Sequence, residues 1–325
     1  MSNNRRCPHC NCSTDTIKFG MTNANRQRYH CGMCGKTWTN SSRKNRLAKL
    51  IWHDLVWNNL PVRELSNKYK LHPNTIRNII HNYQPDPINL NNMPSEDKAK
   101  ITVIIMDTTY FGRKHGVVVA INAHNGKLLY FKEILGSETN KDYKDCIETL
   151  LVAGIKPKAC VIDGRKGVRD MLDDYGILVQ LCHFHLKLMV RKYITNSPVL
   201  EPNILLKAVV DTLCDSRFPA VTEHQFYDYF AGWHHKYRLW LNEKTYNPNT
   251  GTREWTHQDT RRAFTAIKNH LDVLFTYEQH PELNIPKTSN RIEGLFGMAK
   301  DKLRIHHGYT NKLKIKIFFS LLSGK

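Results

Sequence analysis

Two aspartates in this 325-residue chain sit where an apolar run stops: Ile104-Ile-Met-Asp107 and Val161-Ile-Asp163. A buried strand ending in an isolated carboxylate holds an ionised group against low-dielectric surroundings, which is unfavourable unless a cation or hydrogen bonds compensate. Each has a plainer role when read singly: Asp163-Gly164 is a common turn pair, and Asp107 before Thr108 suits a cap or turn. A third carboxylate comes late, in Thr288-Ser-Asn-Arg-Ile-Glu293-Gly-Leu-Phe-Gly-Met-Ala-Lys300. Helical spacing puts Glu293, Gly297 and Lys300 on one face, where Gly297 lets DNA or another backbone approach and Lys300 holds a phosphate. The plainer role for Glu293 is as capping-box partner of Asn290. Three carboxylates that converge can bind two Mg²⁺ or Mn²⁺ ions, one activating an attacking oxygen and one stabilising a leaving oxygen.

A second chemistry is written in cysteine. Cys7-Pro-His-Cys10 and Cys31-Gly-Met-Cys34 are separated by twenty residues, in a segment too poor in large aliphatics for an ordinary core. Two such knuckles complete a tetrahedron around a structural Zn²⁺, whose binding energy replaces the missing core; a redox pair or loose thiols is the alternative. His9, Cys12 and His30 are bystanders in this reading, and Arg26 and Arg28 supply a basic surface.

Lysine and arginine total 48 against 29 aspartates and glutamates, a net charge of +19 spread over every segment. Such an excess calls for a polyanionic partner with several contact surfaces, and double-stranded DNA fits it. The chain opens on the polar, basic Met1-Ser-Asn-Asn-Arg-Arg6, with no visible targeting segment, and its longest apolar runs, such as Val117 to Ile121, are too short for a bilayer. A soluble protein of a reducing compartment, with no membrane partner, is expected.

The elements that must position these groups follow from periodicity. Residues 1–44 form the zinc ribbon. Residues 45–83 turn helical, with Leu47, Leu50, Ile51, Leu55 and Val56 at three- and four-residue spacing, then Val62 to Tyr69, a Lys-Leu-His turn, and Pro73 to Ile80: a helix-turn-helix. Asn74, Thr75, Arg77 and Asn78 would face the major groove. Residues 84–100, with Pro85, Pro87 and Pro94, read as a linker. Strands are expected at 101–106, 116–123, 128–135, 159–162 and 178–182, with helices at 141–152 and 167–175; that order matches a ribonuclease H-like fold. This first core part spans 101–189, a helical insertion 190–286, and a final helix and tail 287–325. In the insertion Phe226, Phe230, Trp233, Tyr237 and Trp240 recur at helical spacing, better suited to packing than to base stacking. The tail around Lys312 to Ile317 suits either strand or helix.

Asp107, Asp163-Gly164, the Cys182-His-Phe-His185 box, a long helical stretch and Ser289-Asn-Arg-Ile-Glu293-Gly together resemble the catalytic pattern of Mutator-like transposases, including bacterial insertion-sequence relatives, over roughly residues 100 to 310. The resemblance implies an α/β, ribonuclease H-like catalytic core with an all-helical insertion, preceded by a zinc ribbon and a helix-turn-helix. It implies a DDE transposase that binds the terminal inverted repeats of its own insertion sequence, with Asp107, Asp163 and Glu293 holding the catalytic Mg²⁺ or Mn²⁺. The family's box maps to Cys182 and His185, expected in active-site support with Lys300, while His183 is expected to face solvent. Arg165 and Lys166, just after the second aspartate, are expected on DNA. A homodimer or larger homo-oligomer in a bacterial cytoplasm, at the nucleoid, completes the expectation. A nuclease with the same core, or a DNA-binding regulator derived from a transposase, are the alternatives.

Overall fold

The structure is a computed structural model that describes all of the chain except residues 1–5, 11, 14, 24, 26, 40, 41, 215, 216, 218, 219, 306, 307 and 325. It divides into two compact units, Met1–Gln84 and Pro85–Lys325.

In the first unit, strands β1 (Thr16–Met21), β2 (Gln27–Cys31) and β3 (Thr37–Thr39) form an antiparallel sheet in that order. Its apolar content is small, Tyr29 stacking on Trp38 at 5.8 Å, so the cysteine knuckles must do most of the holding. Helices α1 (Ser42–Trp57), α2 (Val62–Tyr69) and α3 (Pro73–Asn82) follow. They bury Ile51, Trp52, Leu55, Leu65, Ile76 and Ile80, whereas Leu50, expected on the same stripe, is exposed. Buried Asp54 on α1 accepts from Tyr69 Oη at 2.7 Å and Asn58 Nδ2 at 2.8 Å and pairs with Lys68 at 2.6 Å, tying α1 to α2. The turn between α2 and α3 is built by Lys70 at φ +52° and by His72, whose Nδ1 accepts from Asn74 N, with Pro73 at the first helical position.

The second unit opens on residues expected as a linker. They are not free: Leu90 and Met93 are buried in the core, and a short helix α4 (Ser95–Ala99) leads into the sheet. Polar spacing and three prolines hid the two apolar anchors. The sheet has five strands, ordered β6-β5-β4-β7-β8. Strands β4 (Val103–Tyr110), β5 (His115–Asn122) and β6 (Leu128–Leu135) are antiparallel neighbours; β7 (Ala159–Ile162) and β8 (Leu178–Leu181) run parallel to β4. Helices α5 (Asn140–Val152) and α6 (Lys166–Asp174) make the crossovers between the parallel strands.

Side-chain alternation splits this sheet into two faces. Ile104, Met106, Val118 and Ala120 cluster with Tyr143, Cys146, Ile147 and Leu150 of α5. The opposite face meets α12 (Asn290–Arg304) and α13 (Asn311–Ser323), where Phe318 contacts Phe111, Phe131 and Phe296 at ring separations of 5.0, 6.3 and 5.6 Å. The ambiguous tail is thus a helix: it buries Ile315, Ile317, Phe318, Leu321 and Leu322, and the lysines between them are i,i+2 neighbours only in sequence.

Between the two halves of this layer lie α7 (His183–Ile194), α8 (Glu201–Asp211), α9 (Glu223–Leu241), α10 (Gln258–Lys268) and α11 (Thr276–Gln279). Phe226, Phe230, Trp233 and Tyr237 are buried, with Trp240 partly so, which is the packing role. The insertion was expected to be all-helical and is not: β9 (Lys244–Asn247) and β10 (Thr252–Trp255) form an antiparallel hairpin. Asn247-Pro-Asn-Thr-Gly251, with Gly251 at φ +67°, makes its turn, a signal hidden in a polar stretch between helices.

Buried Asp211 closes α8 against α7, pairing with Lys187 and Arg191 at 3.0 Å and Lys207 at 2.8 Å. Burial pushes this carboxyl up, but Lys207 and Lys187 outweigh it and hold it below its ordinary value. Its stabilisation is therefore complete above the unfolded carboxyl's pKa of about 3.9 and is lost as the pH falls through the lower native value. Asp211→Asn is expected to remove about 3 kcal/mol at neutral pH. The deficit relative to wild type, read by urea denaturation, should shrink below about pH 4; a deficit constant from pH 7 to 3 would exclude an ionic role.

Candidate functional site

Residues Ile105 and Val161 are register partners on the parallel strands β4 and β7. Two further residues along the chain lead to Asp107 and Asp163, by alternation on the face that meets α12. Asp163 follows the end of β7, whereas Asp107 lies inside β4, which does not stop at 106 as expected but stays paired with β5 as far as Tyr110. Asp107 Oδ1 accepts from Thr108 N at 2.7 Å, and Asp163 Oδ1 from Arg165 N at 3.2 Å. Burial pushes Asp107 up to about 7; Asp163 and Glu293 add to the rise, and His185 and the Thr108 N–H oppose it. All these groups thus act within one another's fields. Gly164 turns the chain out of β7 at φ +93°, where a Cβ would lie 2.6 Å from Leu181 Cδ1 and 3.1 Å from His270 Nε2, so only glycine fits.

Glu293 stands in the first turn of α12, which packs on β4. No side chain caps this helix, so the Asn290 capping box does not form. Instead Ser289, at the N-cap position and buried, donates its hydroxyl to Glu293 Oε1. The same hydroxyl lies 3.1 Å from Cys182 Sγ and 3.4 Å from His185 Nδ1, and Ser289 N donates to Cys182 Sγ at 3.2 Å. His183 N donates to Lys287 O at 3.0 Å, a second stitch between α7 and the strand of chain that enters α12. Ser289 was not singled out from the sequence; its place directly before the glutamate helix, in Ser-Asn-Arg-Ile-Glu, is the one available signal.

The Cys182 sulfur and the His185 ring sit at the start of α7, directly after β8. Burial works against ionisation of the thiol, but hydrogen bonds from His185 and Ser289 outweigh it and hold Cys182 below its usual value. Its bond to Cys182 first, and the charges of Asp107 and Glu293 besides, raise His185 to about 9 against the opposing effect of burial. His183 does not face solvent: it is buried, with Nε2 2.8 Å from Leu274 O and Nδ1 3.3 Å from Leu213 O. The neutral ring that burial favours donates to one of these two inward carbonyls, a partner that alternation in the sequence could not reveal. Lys300 is half-buried; burial lowers it, and the charge of Asp107 works the other way.

The expected DNA contacts divide. Arg165 is not available as a free cation, since its guanidinium donates to Glu138 Oε1 at 3.0 Å and to Glu138 O at 2.8 Å. Glu138 Oε2 in turn accepts from Tyr143 Oη at 2.9 Å, which meets Thr108 Oγ1 at 3.0 Å, so the arginine braces the aspartate strand. Lys166 opens α6, and its side chain lies outside the described part. Asn74, Thr75, Arg77 and Asn78 are all exposed on α3, Arg77 Nη1 donating to Asn74 Oδ1 at 2.8 Å. Arg28 is half-buried on β2, and Arg26 falls outside the described residues.

In the first unit, Cys7 and Cys34 have sulfurs 3.7 Å apart, Cys10 and Cys31 3.6 Å. Those separations exclude disulfides and fit the edge of about 3.8 Å expected for a tetrahedron of thiolates around Zn²⁺. The four sulfurs lie within 4.8 Å of one another. Around them Cys31 N donates to Lys36 O at 3.0 Å, Gly35 N to Cys31 O at 2.8 Å and Cys7 N to Cys12 O at 2.8 Å, closing both knuckles. The donor set and the spacing suit a structural zinc.

No family model and no curated relative matches the sequence. Among solved structures, a Drosophila P element transposase strand transfer complex is similar at 11% identity, covering 86% of this chain and 91% of that chain, with a TM-score of 0.42. A pre-cleavage Mos1 transpososome is similar at 11% identity over 70% of this chain and 76% of that one, and a Mos1 mariner paired end complex with Mn at 11% over 70% and 75%, both with TM-scores of 0.19. At these values the likeness assigns no function. Among the described residues, no helix is long and apolar enough to cross a membrane.

A zinc that substitutes for a core makes the first unit's sheet depend on its ligands. With a strong chelator, or in Cys31→Ser, trypsin should cut within residues 16–39 at least tenfold faster, an opening by about 1.4 kcal/mol or more, while residues 101–181 stay protected. Equal protection with and without chelator would show that hydrogen bonds alone hold the sheet.

Proposed function

We propose that this protein is a DNA transposase that binds the terminal inverted repeats of its own insertion sequence and performs metal-dependent strand cleavage and strand transfer. The observation that carries the reading is the register of the parallel strands β4 and β7, which sets Asp107 beside Asp163 on the sheet face that meets the helix of Glu293. The sheet order, three antiparallel strands followed by two parallel ones, is that of a ribonuclease H-like core. A Mutator-like relationship and a bacterial insertion-sequence origin belong to this proposal.

Asp107, Asp163 and Glu293 are hard oxygen donors, and the desolvated state of Asp107 is one that a divalent cation relieves; the set fits Mg²⁺ or Mn²⁺. Bound there, the metal supplies activation of the attacking oxygen and charge stabilisation of the leaving 3′ oxygen. The chain's own residues do the rest. Ser289 fixes the rotamer of Glu293, the Cys182–His185 pair anchors Ser289, and Lys300, half-buried near Asp107, offers a cation to a phosphate on the α12 side. Gly294 and Gly297 leave open space along that helix, so a sugar-phosphate chain can approach its backbone. The four-cysteine ribbon and the helix-turn-helix, through Asn74, Thr75, Arg77 and Asn78, recognise the transposon ends, and pairing of two ends requires a homodimer or larger assembly.

Supplied in a cell beside a marker flanked by its native DNA ends, the wild-type gene should yield joined products. Glu293→Gln should lower their yield about a thousandfold, the effect of losing about 4 kcal/mol of charge stabilisation. Equal yields would remove Glu293 from the mechanism. End binding without products from either would point to a regulator.

A further inference from the structure

We propose that Cys182, His185 and Glu293 form a second metal site, selective for a thiophilic cation such as Zn²⁺, and that its occupation inhibits the enzyme by withdrawing Glu293 from Asp107 and Asp163. The inhibitory half rests on the reading of Glu293 as a catalytic carboxylate; the binding half does not.

One ligand atom from each of the three residues lies within 4.8 Å of the other two. Sulfur, imidazole nitrogen and carboxylate oxygen together are a zinc donor set, and three protein ligands leave a fourth position open. The Ser289 hydroxyl, 3.1 Å from Cys182 Sγ and 3.4 Å from His185 Nδ1 and donating to Glu293 Oε1, lies among the three ligand atoms and gives up these bonds when a cation takes its place. Cys182 is prepared as a ligand: it is wholly buried and its sulfur accepts the Ser289 N–H at 3.2 Å, the kind of bond that holds a metal-bound thiolate. His185 Nδ1 faces Glu293 Oε1 at 3.9 Å. Access is from the solvent side, since the side chains of His185 and Glu293 keep 26% and 29% of their surface. On binding, the cation takes the sulfur, the ring nitrogen and the carboxylate, and the protons of the thiol and the imidazolium pass to water.

Competition follows from donor chemistry. Mg²⁺ and Mn²⁺ prefer the oxygens of Asp107, Asp163 and Glu293, whereas a thiolate and an imidazole draw Zn²⁺. Among the described residues, neither aspartate belongs to a close group of three ligands, while Glu293 already lies with Cys182 and His185. A Glu293 carboxylate held by zinc beside Cys182 and His185 has its charge shared and its rotamer fixed on that side, which weakens its hold on a cation at Asp107 and Asp163, so the ratio of the two kinds of cation sets which site is filled.

The test is a Co²⁺ titration of the purified full-length protein, followed by thiolate-to-cobalt absorption. Wild type should bind one equivalent more than Cys182→Ser, with a band for one Co–S bond beyond those of the four-cysteine cluster. Because Cys182 is buried, His185→Asn is run beside it and should lose the same equivalent; both are compared at equal thermal melting. Equal stoichiometry and spectra in wild type and a folded variant would overturn the site. In Mg²⁺-driven cleavage of the native DNA ends, the Zn²⁺ concentration for half-inhibition should rise more than tenfold in Cys182→Ser, measured against that variant's own zinc-free rate. An extra bound equivalent without such protection would overturn the competition and leave the site. Absence of any Mg²⁺-driven cleavage would count against the transposase reading, with the cobalt stoichiometry still deciding the site.

Discussion

Desolvation of Asp107 is the constraint on which the arrangement around it depends. The carboxylate follows four buried residues of β4, and its ionised form is unfavourable enough to raise it to about 7. A fold tolerates such a group when something cationic meets it. Here His185 approaches from α7, Lys300 from α12, and two further carboxylates make the locus one that a divalent cation would neutralise.

Holding these groups together requires that distant segments be joined. The helix that carries Glu293 begins 127 residues after the second aspartate, and chain entropy alone would leave it unplaced. Two devices place it. Phe296 and Phe318 pack α12 and α13 on the sheet, and Ser289 ties the start of α12 to Cys182 and His185 at the start of α7. Apolar packing sets the layer, and the hydrogen bonds of one buried hydroxyl set the angle at which Glu293 is presented.

The insertion shares one continuous core with the sheet. Its part of that core is aromatic, with Phe226, Phe230, Phe264 and Phe275 in ring contact, and Trp233 Nε1 donates to Pro202 O at 2.8 Å. Asp211 with its three cations closes one side. His183 reaches from α7 into this body through the carbonyls of Leu213 and Leu274, so the Cys182 box is gripped from both the sheet and the insertion.

Local pattern alone determined much of this molecule. A continuous apolar run such as Val117 to Ile121 reads as a buried strand, two CxxC knuckles at this spacing read as four cysteines that meet, and Pro73 after a short turn reads as the start of a helix; these depend on near neighbours and are legible in a string of residues. The strands and helices around Asp107 and Asp163 were placed to within a few residues for that reason. Tertiary structure alone decided what depends on partners far away in sequence. Arg165 was expected on DNA but meets Glu138, His183 was expected to face solvent but meets two carbonyls, Leu90 and Met93 in a proline-rich stretch prove to be core, and α13 is a helix because the sheet offers it a face. Ser289 is the sharpest case, since a serine before a helix is an ordinary cap until Cys182, His185 and Glu293 surround it. Period and composition encode which face is apolar; which polar group a side chain meets is set by chain segments that only the packed fold brings within reach.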